Sequence, residues 1–237
     1  MPSAIETTTK AAAPAARRSH HPQPTARHYN IVLGPLARPL VYAATVRGSG
    51  CDEPRQPVVV GRRRDYECPW FDVVVKDVRY PEQPGTRSFY GVEINDWAVV
   101  LAVDSDGRIP LVRQYRPVIE RVQLELPAGA IRTAPPEETA RRELLEETGY
   151  VADELVHLGS PFTEAGRLTS RAWVYFAPKA VRIAEPVELA HEPLEVMLVT
   201  QTELLEAIES GAFALAGHVA AVGLALVHGA LALPRTP

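Results

Sequence analysis

Three glutamates carry the first chemical suggestion in this chain. Glu143, Glu146 and Glu147 follow one another at i, i+3 and i+4 within TARRELLEET, a run made mostly of good helix formers. On a helix that spacing brings all three carboxylates to one face. Like charges so close repel one another unless something positive lies between them. A hard divalent cation answers that need, since Mg²⁺ and Mn²⁺ take oxygen ligands and share them with substrate phosphates. The helix alone leaves a plainer reading open, in which Arg141 and Arg142 tie a solvated acidic face with salt bridges.

The elements around this run follow from local signals. Thr133 is a candidate N-cap, Pro135 or Pro136 suits a first helical turn, and Glu137 and Glu138 suit the positive end of the helix dipole. Gly149 supplies a left-handed C-cap. Strand-like runs cover 71–78, 89–94, 97–103, 109–115, 122–126, 173–176 and 194–199, with Asp104-Ser105-Asp106-Gly107 as a turn. Thr200-Gln201-Thr202-Glu203 opens a further helix with a capping box. The expected division is an irregular N-terminal extension over 1–64, holding the run Arg62-Arg63-Arg64 and a short apolar piece at 40–46, then one domain over 65–233. Residues 201–233 read as helical.

Composition narrows the class. Of 237 residues, 46% are hydrophobic and 23% charged, as expected for a chain with a sizeable core. A net charge of -4 argues against a nucleic-acid binder. Residues 11–30 are rich in Ala, Arg, His and Pro and free of acids, which mimics a transit peptide, but the prolines break any amphipathic helix and favour a disordered tail. The uncharged stretch 212–233 is long enough to span a membrane. Its histidines and glycines instead favour a terminal helix that is buried or covered by a partner. Two cysteines, Cys51 and Cys68, without close spacing point to reduced thiols and a cytoplasmic protein. Neither a GxxxxGK[ST] loop nor an HExxH helix is present.

Arg142-Glu143-Leu144-Leu145-Glu146-Glu147-Thr148-Gly149-Tyr150 matches every fixed position in the R-E-U-x-E-E-x-G-U heart of the Nudix box, U being a bulky apolar residue. Leu111-Val112-Arg113-Gln114-Tyr115-Arg116 and Leu124-Glu125-Leu126-Pro127-Ala128-Gly129 resemble the LVRQYR and LELPAG motifs of the ADP-ribose pyrophosphatase branch. The resemblance runs over about residues 65–230. Upstream the chain departs from the pattern: twelve residues separate Gly129 from Arg142, one short of the full box, and the upstream glutamate position falls on Ala134 or Pro135. Arg142 is then expected to find Glu137 or Glu138 as its partner.

The resemblance implies an α/β fold, an α/β/α sandwich with a mixed β-sheet flanked by the box helix and the C-terminal helices. It implies Mg²⁺, or Mn²⁺, on Glu143, Glu147 and the Ala128 carbonyl, with Arg113, Arg116 and Arg167 toward the substrate. Glu146, Glu147 and the loop residue Glu164 are the catalytic candidates. The implied reaction cleaves a nucleoside diphosphate sugar, ADP-ribose first, to AMP and ribose 5-phosphate. GDP-mannose or another nucleotide sugar is the alternative, because Glu164-Ala165-Gly166-Arg167-Leu168 resembles a D-T-G-R-L variant of other Nudix sequences. The short loop also leaves open a weakly active domain used for binding or regulation. Tyr80, Phe89, Tyr90 and Trp97 are candidates to stack on a base. Relatives of this branch are homodimers that exchange N-terminal strands, which implies a homodimer here, with no nucleic acid and no membrane among its partners.

Overall fold

A computed structural model describes residues 56–187 and 194–232. The apolar piece at 40–46, residues 11–30 and Cys51 lie outside the described residues. The elements are β1 (Val58–Glu67), β2 (Asp72–Arg79), β3 (Arg87–Glu93), β4 (Trp97–Asp104), β5 (Ile109–Arg116), β6 (Arg121–Glu125), β7 (Ala128–Ala130), α1 (Pro136–Thr148), β8 (Tyr150–Val151), β9 (Val156–Gly159), β10 (Ala172–Arg182), β11 (Leu194–Val199), α2 (Gln201–Ser210) and α3 (Ala216–Val227).

The centre of the molecule is β4. Its sequence is almost wholly apolar because both of its faces are buried. Ala98, Val100 and Ala102 pack toward α1 with Leu144, Tyr150 and Tyr175. Val99 and Leu101, one residue out of phase, join Ile109, Leu111, Phe213 and Val222 in a second core under α2 and α3. Period-two alternation thus divides one strand between two helical layers. β4 pairs in parallel with β10 and antiparallel with β7, and β8 and β9 pair with β10, so the sheet is mixed. A second sheet runs β11-β5-β6, all antiparallel.

Residues 58–67 form a strand where composition suggests an irregular extension. β1 pairs with β2, and β2 with β3, in an antiparallel sheet. The arginine run is part of it: Arg62 faces Glu93, Arg63 faces Asp77, and Arg64 lies 3.0 Å from Asp72. A period-two pattern was hidden there because the side chains of β1 are almost all exposed on both faces.

Helix boundaries differ from the sequence reading at one end. α1 starts at Pro136 with Pro135 as N-cap and no side-chain cap, so Thr133 does not cap it. Proline at N1 has no N–H, so the first turn carries one orphan donor fewer. Gly149 does close the helix, at φ 75°, with its N–H donating to Leu145 O. A Cβ there would sit 2.0 Å from the Ala184 carbonyl oxygen, so only glycine fits. The capping box on α2 is complete, with Thr200 and Glu203 bonded reciprocally. The C-terminal helices are α2 and α3, with Gly211 as the left-handed C-cap between them. In α3 His218, Ala221, Val222 and Ala225 are buried. Among the described residues no helix is long and apolar enough to cross a membrane.

Candidate active site

The LELPAG segment brings backbone to the acidic face of α1. After β6 the chain turns at Leu126-Pro127 into β7, whose Ala128 N–H donates to Glu147 Oε2 at 2.9 Å. Gly129 lies so close to the next carboxylate that a Cβ on it would stand 1.9 Å from Glu143 Oε1. The glycine is therefore required by approach, not by its backbone angle. Glu143, Glu146, Glu147, Ala128 and Arg116 all line one cleft of about 720 Å³.

Glu147 is the most perturbed acid of the group, with a pKa pushed up to about 8. Burial is the main cause, the Ala128 N–H opposes it, and the neighbouring Glu143 adds to it. Its surface is partly open, through the cleft, while protein surrounds the other sides. A carboxylate poised in this way gains from any cation that enters the cleft.

Both helix arginines have partners, arranged otherwise than the box spacing suggests. Arg142 bonds Glu143 and, at 2.5 Å, Glu146 Oε2. It reaches neither Glu137 nor Glu138; Arg141 takes Glu137 at 2.9 Å and the Ala152 carbonyl at 2.7 Å. Salt bridges do tie part of the acidic face, but Glu147 is held by main chain instead. Among the described residues no three Asp, Glu, His or Cys side chains gather as a cage for an ion. The donor set fits a metal that uses few carboxylates together with main-chain and phosphate oxygens, which is the habit of Mg²⁺. Gly129→Ala should push the Glu143 carboxylate aside without unfolding the protein. We expect a loss of activity of roughly 10–100-fold, as for misplaced metal-site groups, with a melting temperature close to that of the parent in a thermal scan.

β5 sorts its own arginines. Gln114 and Arg116 line the cleft, and the alternate residues Arg113 and Tyr115 are exposed. Arg113 pairs with Glu195 of β11 at 3.1 Å and does not line the cleft. Arg116 is gripped by Glu125, with Nε 2.7 Å from Oε1 and Nη2 2.5 Å from Oε2. Glu125 is 1% exposed, whereas the Arg116 side chain keeps 39% of its surface. Glu164 and Arg167 lie on the loop between β9 and β10. They face one another at 3.6 Å on an exposed loop and do not line the cleft.

A second cavity of about 640 Å³, lined among others by Trp70, Ile94, Trp97 and Leu168, shares Ala130 and Arg132 with the cleft. Of the aromatic candidates Trp97 lies on it, while Tyr80 and Phe89 pair with each other at 6.4 Å. Trp70 was missed by the sequence reading because it sits in a turn rather than in a patterned strand. Glu125 was missed as well. Its signal was present, a charged residue between Leu124 and Leu126 in a buried strand.

Comparison with known proteins agrees with this geometry. The family described as the NUDIX domain matches residues 95–215. An ADP-ribose pyrophosphatase of Bacillus subtilis (strain 168) is 37% identical over 143 residues, covering 59% of this chain and 76% of that protein. A GDP-mannose pyrophosphatase of Yersinia enterocolitica is 27% identical over 145 residues, 58% of this chain and 76% of its own. A solved ADP compounds hydrolase superposes with a TM-score of 0.64 at 22% identity, over 76% of this chain and 98% of that one, and shows the same fold. With the box residues on α1, the mixed sheet beneath them and these matches, the chain belongs to the Nudix family of hydrolases.

Proposed function

We propose that the chain hydrolyses the pyrophosphate of ADP-ribose, giving AMP and ribose 5-phosphate, with Mg²⁺ as the ion and Mn²⁺ able to replace it. The observation that carries this reading is the convergence of Glu143, Glu147, Ala128 and Arg116 on one cleft that continues into an aromatic cavity. Glu143, Glu147 and the Ala128 carbonyl would hold the metal, which supplies charge neutralisation of the pyrophosphate and activation of water. Arg116, fixed by Glu125 and still open to the cleft, binds the phosphoryl oxygens and stabilises charge that develops on them. Glu146 lies on the cleft wall and accepts the proton of the attacking water. The Trp70–Trp97 cavity receives the nucleoside, whose base finds aromatic surface there.

A second copy of the chain completes this reading. The β1–β3 sheet exposes Val58, Val59, Tyr66, Phe89 and Tyr90, at 43–60% of their surface. Apolar exposure of that extent on one sheet favours a homodimer, and a sedimentation experiment should return twice the chain mass. Hydrolysis is tested with ADP-ribose and GDP-mannose, each with Mg²⁺ or Mn²⁺ and with EDTA as control. ADP-ribose turnover that EDTA abolishes is the expected result. Preference for GDP-mannose would overturn the substrate, and no turnover of either would favour a binding role.

A further inference from the structure

The C-terminal helix reaches the catalytic turn through one buried histidine. His218 lies in the first turn of α3, beyond the stretch that matches the family. Its ring is 6% exposed and packs between Trp97, with ring centres 5.1 Å apart, and Phe213 at 6.2 Å. Gly217 makes that seat possible, since a Cβ on it would stand 2.5 Å from the Trp97 ring. Nδ1 accepts the Leu126 N–H at 3.1 Å. A main-chain amide can only donate, so Nδ1 carries no proton and the neutral ring carries its hydrogen on Nε2. Nε2 faces Glu125 Oε2 at 3.6 Å, on the carboxylate that grips Arg116. Burial pushes the ring pKa down to about 3, with Arg116 adding to the shift, which agrees with a neutral imidazole.

We propose that His218 is a positioning residue for the hydrolysis, fastening Leu126 to α3 beside Glu125 and so holding Arg116 and the Ala128 main chain in register with Glu143 and Glu147. One residue, Pro127, separates Leu126 from Ala128, and Glu125 is adjacent to Leu126. A shift of this short segment therefore moves the phosphate-binding guanidinium and the main-chain metal ligand together. A histidine suits the place because its two nitrogens point to a donor and an acceptor at once. An apolar residue of the same size would leave the Leu126 N–H buried without a partner.

The inference rests on the metal-dependent reading above, and the experiment separates the two. Mn²⁺ binding is measured calorimetrically on the full chain without substrate, alongside kcat and KM for ADP-ribose and amide exchange at Leu126. His218→Phe should weaken Mn²⁺ binding and lower kcat by roughly 10–100-fold, the usual loss when a group supporting metal ligands is removed. KM should change less than kcat, and the Leu126 amide should exchange faster. His218→Asn, whose Oδ1 takes the place of Nδ1, should recover most of each quantity. Should His218→Phe not fold, His218→Gln, which carries its amide at the Nε2 position instead, takes its place. Val222→Ala opens a packing defect in the same helix while keeping the His218 ring that takes the Leu126 N–H, and should leave metal affinity unchanged. Equal Mn²⁺ affinity in wild type and His218→Phe, or an equal loss in Val222→Ala, would overturn the positioning role alone. A wild-type chain that binds no Mn²⁺ would overturn the functional reading, and this inference with it.

Discussion

Glu147→Gln is expected to abolish turnover and, in metal-free buffer at pH 8, to raise the melting temperature. Both effects come from the same carboxylate. In the fold its pKa is pushed up from 4.5 to about 8, mainly by burial. The folded state therefore holds this proton more tightly than the unfolded chain does. Below about 4.5 both states are protonated and nothing is lost. As pH rises toward 8 the unfolded chain ionises freely while the fold resists, so stability falls across that window and levels off above it. Each pK unit is worth about 1.4 kcal/mol. Water in the cleft screens part of this, leaving on the order of 2–3 kcal/mol. Glutamine keeps an oxygen to accept the Ala128 N–H and carries no charge, so it escapes the penalty. Thermal scans from pH 4.5 to 8.5 in EDTA should show the variant gaining on wild type as pH rises. Added Mg²⁺ should reverse the order, because only the wild type gains from the ion. A variant less stable than wild type throughout the range would mean that Glu147 is comfortably ionised and that the cleft is not poised for a cation.

Arg116→Ala should destabilise the protein more than any other single change on the cleft wall. Removing one member of a buried ion pair leaves the other charged and unpaired, at about 3–5 kcal/mol. Glu125 is 1% exposed and is the member left behind. The guanidinium is itself 39% exposed, so water can enter its place, and about 2–4 kcal/mol is the expected loss. Its role toward phosphate is separable from this. Arg116→Met combined with Glu125→Leu removes both charges and should recover much of the stability, since apolar replacements of buried pairs are often tolerated. Activity should remain low in both proteins, by roughly 100-fold or more, as for other lost groups that stabilise transition-state charge. Recovery of activity along with stability in the double variant would show that Arg116 serves the fold alone. Urea unfolding and steady-state kinetics on the same preparations decide it.

The catalytic helix was legible because its determinants are local. Carboxylate spacing, helix-forming residues and a terminal glycine are all read along the chain, and α1 and its Gly149 cap follow. The same holds for α2, whose capping box is a contact within four residues. The N-terminus of α1 was misread because two candidate signals competed, and Pro136 displaced the threonine. β1 escaped notice because a strand exposed on both faces has no alternation, and its arginines acquire meaning only opposite the acids of β2 and β3. Arg113 and Arg116 stand three apart in one motif, and the pleat of β5 puts them on opposite faces, with only Arg116 on the cleft.

By itself the sequence determined the acidic helix, the family and the hydrolytic class, since each depends on residue types at short, regular spacing. Tertiary structure decided which carboxylate is buried enough to keep its proton, that Gly129 must be bare for Glu143 to lie against it, and that Arg116 is held by Glu125. It also decided that His218, 92 residues from Leu126, satisfies that residue's amide. The physical reason is the same in each case. Desolvation, close approach and hydrogen bonding between distant segments depend on what surrounds a group in space, and no local pattern along the chain carries that information.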